Sequence, residues 1–428
     1  MIPLNVRTDR SLIRAAARSR RYVTVRFVAP EAPPRAGRAP VNVAIVLDRS
    51  GSMGGEKFVL ARQAAERALA MLRPEDRFAL VVYDTEIDVL APSTPAVPEA
   101  KRHALSALAS IGPRGGTDLG GGWLRGCEQV ALHASGELVN RCLLLTDGQA
   151  NHGITDPGEL ARHAAALRER GVRTSTFGVG SDFDERLLGG MSDAGGGNSY
   201  FLDHPARIPE MITSELGEAL EVVMRDAALE VTLPAGARAE PLQRFRWRHI
   251  EGDNELRVEL GDLVSAQEMA VTIAIELPRG EAGETAAAGF ALSDRDHATA
   301  GGPVELRWTW AGHPQNDRQP RDRTVDREVA TLYAARARAE ATERNRHGDY
   351  EGARRVLRRT ADRILSYAGN DPELHRIASE LLAETETFAA PMPAMAMKAA
   401  YYSADAVMRE RAPSGRAKRG DGSPPSRT

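Results

Sequence analysis

One feature restricts this chain more than any other. Between Val41 and Met224, short apolar runs alternate with helical patterns. The runs are Val41–Leu47, Phe78–Tyr83, Cys142–Thr146, Val172–Val179 and Ser199–Leu202. Helical spacing falls near Lys57–Leu72, Glu99–Ile111, Leu119–Ala134, Pro157–Arg170, Glu185–Ser192 and Ile208–Met224. A strand that is apolar throughout must be covered on both faces, and parallel strands need a crossover, usually helical, between them. The pattern therefore predicts an α/β, doubly wound segment over residues 41–224, its sheet mostly parallel.

The flanks follow other periods. After Met224 apolar residues fall on alternate positions: Leu229, Val231 and Leu233, then Leu256, Val258 and Leu260, then Met269 to Leu277, then Val304 to Trp310. Turn residues separate these runs, so an antiparallel β-sandwich is expected over 225–312. Trp308 and Trp310 are read as strand residues shared between a core and an exposed face. A strand at Tyr22–Val28 has no partner in the α/β segment. Residues 1–40 are expected to lend it to the sandwich, which makes the α/β segment an insertion. From Thr324 the period is helical, with breaks at Gly348-Asp349 and Gly369–Pro372. That predicts a three-helix bundle over 322–390, with Asp371 as an N-cap before Pro372. Asn345–Leu357 is similar to half of a tetratricopeptide unit, but repeat arrays need about three units. The last stretch, 391–428, is expected to be mostly disordered, since Pro413–Thr428 is rich in Gly, Pro, Ser and Arg.

Composition excludes several classes. The 428 residues carry 56 basic and 59 acidic side chains, a net charge of −3, which gives no general field for nucleic acid or membrane. No apolar stretch approaches the ~18 residues of a membrane span. Met1–Phe27 has no apolar signal region. Cys127 and Cys142 are the two cysteines; they make no disulfide framework and suit a cytoplasmic protein.

Val43–Leu47 runs directly into Asp48-Arg49-Ser50-Gly51-Ser52, a D-x-S-x-S turn before a helix. Alternate residues of an extended segment share a side, so one metal could meet all three oxygen-bearing side chains. Two other segments offer matching oxygens: Gly115-Gly116-Thr117-Asp118 at a helix start, and Thr146-Asp147-Gly148 at the end of an apolar strand. In a parallel sheet, such strand ends gather at one edge, where ligands bind. The competing reading is a helix-capping run, since Ser and Asp cap helices routinely. Asp118 is expected to cap the helix from Leu119, and Ser181-Asp182 the helix near Asp184.

D-x-S-x-S, a Thr on a Gly-rich loop and a strand ending in T-D-G together resemble the von Willebrand factor A family, of bacterial multidomain type. The resemblance covers about Val41–Met224. It implies a Rossmann-like fold with a metal-ion-dependent adhesion site at its top. There Ser50, Ser52 and Thr117 would hold Mg²⁺, or Mn²⁺ or Ca²⁺, by hydroxyls, with Asp48 and Asp147 acting largely through water. A set of hard oxygens without His or Cys agrees with that choice of metal. A vacant coordination position would then capture an Asp or Glu carboxylate of a protein partner. Arg49 fills a variable position.

Catalytic motifs fail when checked. Gly51–Lys57 lacks the G-K-[ST] of a phosphate loop, no H-E-x-x-H occurs, and Ser52 lacks the G-x-S-x-G elbow. The expectation is a non-enzymatic, cation-dependent protein-binding module. The alternative is an accessory subunit or client adaptor of a separate AAA-type ATPase. A metal-dependent hydrolase stands a distant third, since no general base accompanies the ligand set.

Overall fold

The computed structural model describes residues 2–32, 38–250, 254–296 and 301–420. They fall into two compact units, Pro33–Val222 and a second made of Met1–Ala32 with Val223–Thr428. Three strands open the chain, β1 (Asn5–Thr8), β2 (Leu12–Arg14) and β3 (Ser19–Val28), and all belong to the second unit.

The first unit is a six-stranded sheet of β4 (Val41–Asp48), β5 (Arg77–Tyr83), β6 (Ile87–Pro95), β7 (Val139–Thr146), β8 (Arg173–Val179) and β9 (Gly196–Leu202). Their order is β6-β5-β4-β7-β8-β9. All pairs are parallel except the hairpin β5–β6. Every residue of β4 and β7 is buried, because helices cover both faces. On one side, α1 (Glu56–Met71), α2 (Pro98–Ala109) and α6 (Ile208–Ala219) pack with Val41, Val43, Ile45 and Leu47. Ala61, Ala64, Ala65 and Ala68 of α1 follow helical spacing and present a small-residue face to that core. On the other side lie α3 (Leu119–Ala131), α4 (Pro157–Glu169) and α5 (Glu185–Gly195). The close fit of α3 needs Gly126, where an added Cβ would run into Val46 Cγ2. Cys127 and Cys142 are both buried and reduced.

β4 lies between β5 and β7, and the chain reaches β7 only after passing through β6, α2 and α3. The strand order therefore reverses at β4, and the C-terminal ends of β4 and β7 sit side by side there.

In the second unit, β10 (Val222–Thr232), β11 (Arg238–Pro241), β12 (Arg246–Ile250), β13 (Glu255–Val264), β14 (Glu268–Leu277), β15 (Thr285–Ser293) and β16 (Gly301–Ala311) join β1–β3 in two sheets. These are β1-β3-β14-β11 and β12-β13-β10-β15-β16-β2. Both supply the core around Val23, Val271, Val231 and Phe290. β3 pairs with the whole length of β14, from Val28 opposite Glu268 to Ser19 opposite Leu277. The arrangement is not wholly antiparallel, since β2 adds to β16 in parallel. Trp308 and Trp310 are both buried on the core side. Two residues apart, they share one face of the strand, so neither is turned outward.

The helices are α7 (His313–Arg318), α8 (Arg323–Arg346), α9 (Tyr350–Ala368), α10 (Pro372–Thr387) and α11 (Ala394–Met408). Asp371 caps α10, accepting from Glu373 N and Leu374 N. Val325, Val329, Leu332 and Ala335 of α8 cover Ala274 of β14, so this strand is buried on both faces. The segment expected to be disordered is folded as far as Gly420. α11 packs on α8, Asp405 pairs with Arg244 at 3.0 Å, and Lys418 pairs with Glu410 at 2.8 Å. The Gly-, Pro-, Ser- and Arg-rich composition behind that expectation begins only at Pro413, whereas α11 before it is mostly Ala, Met and Tyr and buries Ala404 and Met408. Residues 421–428 lie outside the described residues.

Candidate functional site

The site begins where β4 ends. Asp48 is fully buried, and its Oδ1 accepts from the Ser50 N–H at 2.7 Å, which folds the chain back into a tight turn. Its Oδ2 accepts from Thr146 Oγ1 at 2.7 Å, tying it to the end of β7. Ser50 Oγ lies 3.0 Å from Ser52 Oγ, and Ser52 Oγ donates to Asp147 Oδ1 at 2.7 Å. The hydroxyls thus face the second strand end. Neither serine caps the following helical turns: Ser50 makes no side-chain cap, and Gly55 stands at the N-cap of α1.

Thr117 arrives from the Gly-rich loop, where Gly115 O accepts from the Gly51 N–H at 3.2 Å. Its N–H donates to Asn151 Oδ1 at 2.9 Å. Gly148 shows where its hydroxyl lies. A Cβ placed on Gly148 would sit 3.5 Å from Thr117 Oγ1 and 3.8 Å from Ser52 Oγ, so both hydroxyls border the same small space. The oxygens of Asp48, Ser50, Ser52, Thr117 and Asp147 accordingly come from three loops at one sheet edge. Asp118, the next residue, caps α3 through Gly121 N at 2.9 Å. The cap of α5 is Asp184, whereas Ser181 bonds Asp182, contrary to the sequence expectation for that pair.

Burial pushes the Asp48 carboxyl up to about 6, against the pull of its hydrogen bonds from Thr146 and Ser50, and Asp147 adds like-charge repulsion. A cation beside it would offset that cost. The cluster holds two carboxylates and three hydroxyls, all hard oxygens, and this composition fits a divalent ion such as Mg²⁺.

Several partners escaped the sequence reading. Lys57, in the first turn of α1, places its ammonium on Asp147 Oδ2 and 3.3 Å from Ser52 O. The signal was faint: Lys57 is one of four lysines in an arginine-rich chain and lies five residues beyond Ser52. Asn151 had no motif to mark it. Arg49, at the variable position, is buried with its guanidinium between Asp84, at 2.7 Å, and Asp88. Burial works against the Asp84 carboxylate, but the Glu86 N–H, Arg114 and Arg49 together hold it below the usual range. This network braces the rim of the D-x-S-x-S turn.

Residues 42–214 match the von Willebrand factor type A domain. The chain contains a domain of that type. The protein YfbK of Escherichia coli (strain K12) is 29% identical over 244 residues, 55% of this chain and 41% of that protein. The inter-alpha-trypsin inhibitor heavy chain H4 of Homo sapiens is 34% identical over 165 residues, 37% of this chain and 17% of its own length. The chain spans less than half the length of either curated relative. A von Willebrand factor type A structure from Catenulispora acidiphila is similar with a TM-score of 0.67 at 20% identity, covering 89% of this chain and 96% of that one. That likeness is one of fold, and it reaches well beyond the A domain itself. Among the described residues no helix is long and apolar enough to cross a membrane.

Proposed function

We propose that the chain is a non-enzymatic protein-binding module whose A domain works with a divalent cation. One observation carries the reading. Hydroxyl and carboxylate oxygens from three separate loops border one space at the strand ends of a parallel sheet, and the serine hydroxyls there are not spent on helix capping. Asp48, Ser50, Ser52, Thr117 and Asp147 would hold the cation, with Mg²⁺ favoured and Mn²⁺ or Ca²⁺ as substitutes. When bound, such an ion offers a coordination position to an Asp or Glu carboxylate of a protein partner. The chain's own residues prepare the place. Thr146 and the Ser50 N–H fix the Asp48 carboxylate, Ser52 orients Asp147, and Asn151 anchors the backbone of Thr117.

Calorimetry on the full chain tests this. One Mg²⁺ or Mn²⁺ site is expected, abolished by Asp48→Ala with an unchanged far-ultraviolet circular dichroism spectrum. Thr117→Ala removes a neutral oxygen and leaves the charge unaltered. It should weaken capture of a native partner strongly while shifting cation affinity less. A chain that binds no divalent ion at millimolar concentration, or a partner held equally well in EDTA, would overturn the proposal.

A further inference from the structure

The second unit holds a cavity of about 560 Å³, a volume typical of small-molecule sites. One wall is a face of α9. Arg355, Arg359 and Arg363 follow at four-residue spacing, so their exposed guanidinium groups rise from one side of the helix over about 12 Å. Among the described residues none of the three meets a carboxylate within 4.0 Å. Arg355 acts on Asp349 only at longer range, and Arg363 stands over the Tyr333 ring at 5.6 Å.

Four further arginines line the cavity, and each of these is held by a carboxylate. Two acids line it, and both are already engaged by arginine. The remaining excess of positive charge faces the cavity. Tyr22 and Tyr333 form part of its lining, edge to face, with their hydroxyl oxygens 3.1 Å apart. In such a pair one phenol donates to the other, which leaves the second O–H as a donor for something else.

Three like charges on one helix face repel one another, and Asp362, the one acid between them in sequence, forms no ion pair with any of the three. An anion in the cavity would. Guanidinium forks match phosphate oxygens in pairs. Several joined phosphates can meet three arginines spread over two helical turns one by one, whereas a single phosphate would have to gather all three charges at one point.

We propose that this cavity binds a multiply phosphorylated small molecule, clasped by Arg355, Arg359 and Arg363 and met by the Tyr22–Tyr333 hydroxyl pair.

The test is calorimetry on the full chain with EDTA present, which keeps the A-domain site out of play, at about 50 mM salt, where screening is weak. Inorganic tripolyphosphate and ATP are the two probes, with citrate as a carboxylate control. One tripolyphosphate per chain is expected. The triple variant Arg355→Ala, Arg359→Ala, Arg363→Ala should lose affinity by about tenfold or more, since each removes a charge-assisted contact. These side chains are exposed, so its circular dichroism spectrum should not change. The triple Lys variant keeps the charge but not the forks and should fall between. ATP binding more tightly than tripolyphosphate would assign the phosphates to a nucleotide; equal binding would assign them to a phosphate chain alone. Both outcomes support the site. Absence of heat with either probe at millimolar concentration, citrate binding as tightly as tripolyphosphate, or an undiminished Ala variant would overturn it. So would a single-stranded oligonucleotide that binds where both small probes fail.

Discussion

Lys57 sets up a competition at the proposed cation site. Its ammonium rests on Asp147 Oδ2, an oxygen that a bound cation would need nearby. Replacing it by Ala removes the rival charge and should raise Mg²⁺ affinity several-fold by calorimetry; a fall in affinity would show instead that Lys57 holds Asp147 in place. Asp76 is a residue of a different kind. Its burial works against the charged form, but Arg38 and the N–H groups of Arg73 and Val41 hold its carboxyl below the ordinary range. A carboxyl depressed in the folded state stabilises fully above its unfolded pKa, near 4, and loses that contribution as pH falls through the folded value. In urea melts, the stability gap between the native chain and Asp76→Asn should therefore narrow below about pH 4. A gap that stays constant to pH 2 would rule this out. Gly126 lies in the second half of α3, and nothing around it in the sequence marks it. The structure gives it a steric duty against Val46, so Gly126→Ala should cost about 1–3 kcal/mol. Asp48, Ser50, Ser52, Thr117 and Asp147 were legible because side-chain type and spacing declare hard oxygens. Lys57 and Asn151 were not, because what they touch is fixed by the fold and not by neighbours in sequence.

At the level of elements, periodicity spoke clearly where a strand is covered in one simple way. β4 and the end of β7 are apolar runs because both their faces are closed by helices. β6 escaped notice because Pro92 and Pro95 interrupt it, and an edge strand tolerates what a central one would not. β14 was half legible. Its residues Val271, Ile273 and Ile275 mark the sandwich core, but Ala270, Thr272 and Ala274 are small enough to look like a solvated face and are buried all the same. α8 covers Ala274 there. Ala274→Asp should therefore bury a charge with no partner and lower stability by about 3 kcal/mol or more, read from the urea midpoint. A change under about 0.5 kcal/mol would mean that this face meets water. The tail was misjudged for another reason, since the disorder-prone composition from Pro413 was extended back over the Ala- and Met-rich α11.

The whole molecule is a chain that leaves one unit, builds another, and returns. β3 is completed by β14, some 240 residues later in the chain, and the A domain lies between them. This order assigns separate stabilities. Helices and sheet close the core of the first unit around residues that all belong to it, Val41 through Ala219. An excised fragment of residues 38–222 should therefore fold alone and melt cooperatively, and it should keep whatever divalent-cation binding the full chain has. The second unit has no such independence at its start. β14 takes its full-length antiparallel partner from β3, and the core residues Val23 and Val25 come with it. Removing residues 2–30 would strip both, leaving a central strand with an open edge and a cavity where two valines packed. Differential scanning calorimetry of that truncated chain should show the transition of the A domain nearly unmoved and the transition of the second unit shifted down or lost. An excised fragment that stays unfolded would refute the first half of this argument. A truncation that leaves both transitions in place would refute the second, because β14 would then have found its stability without β3.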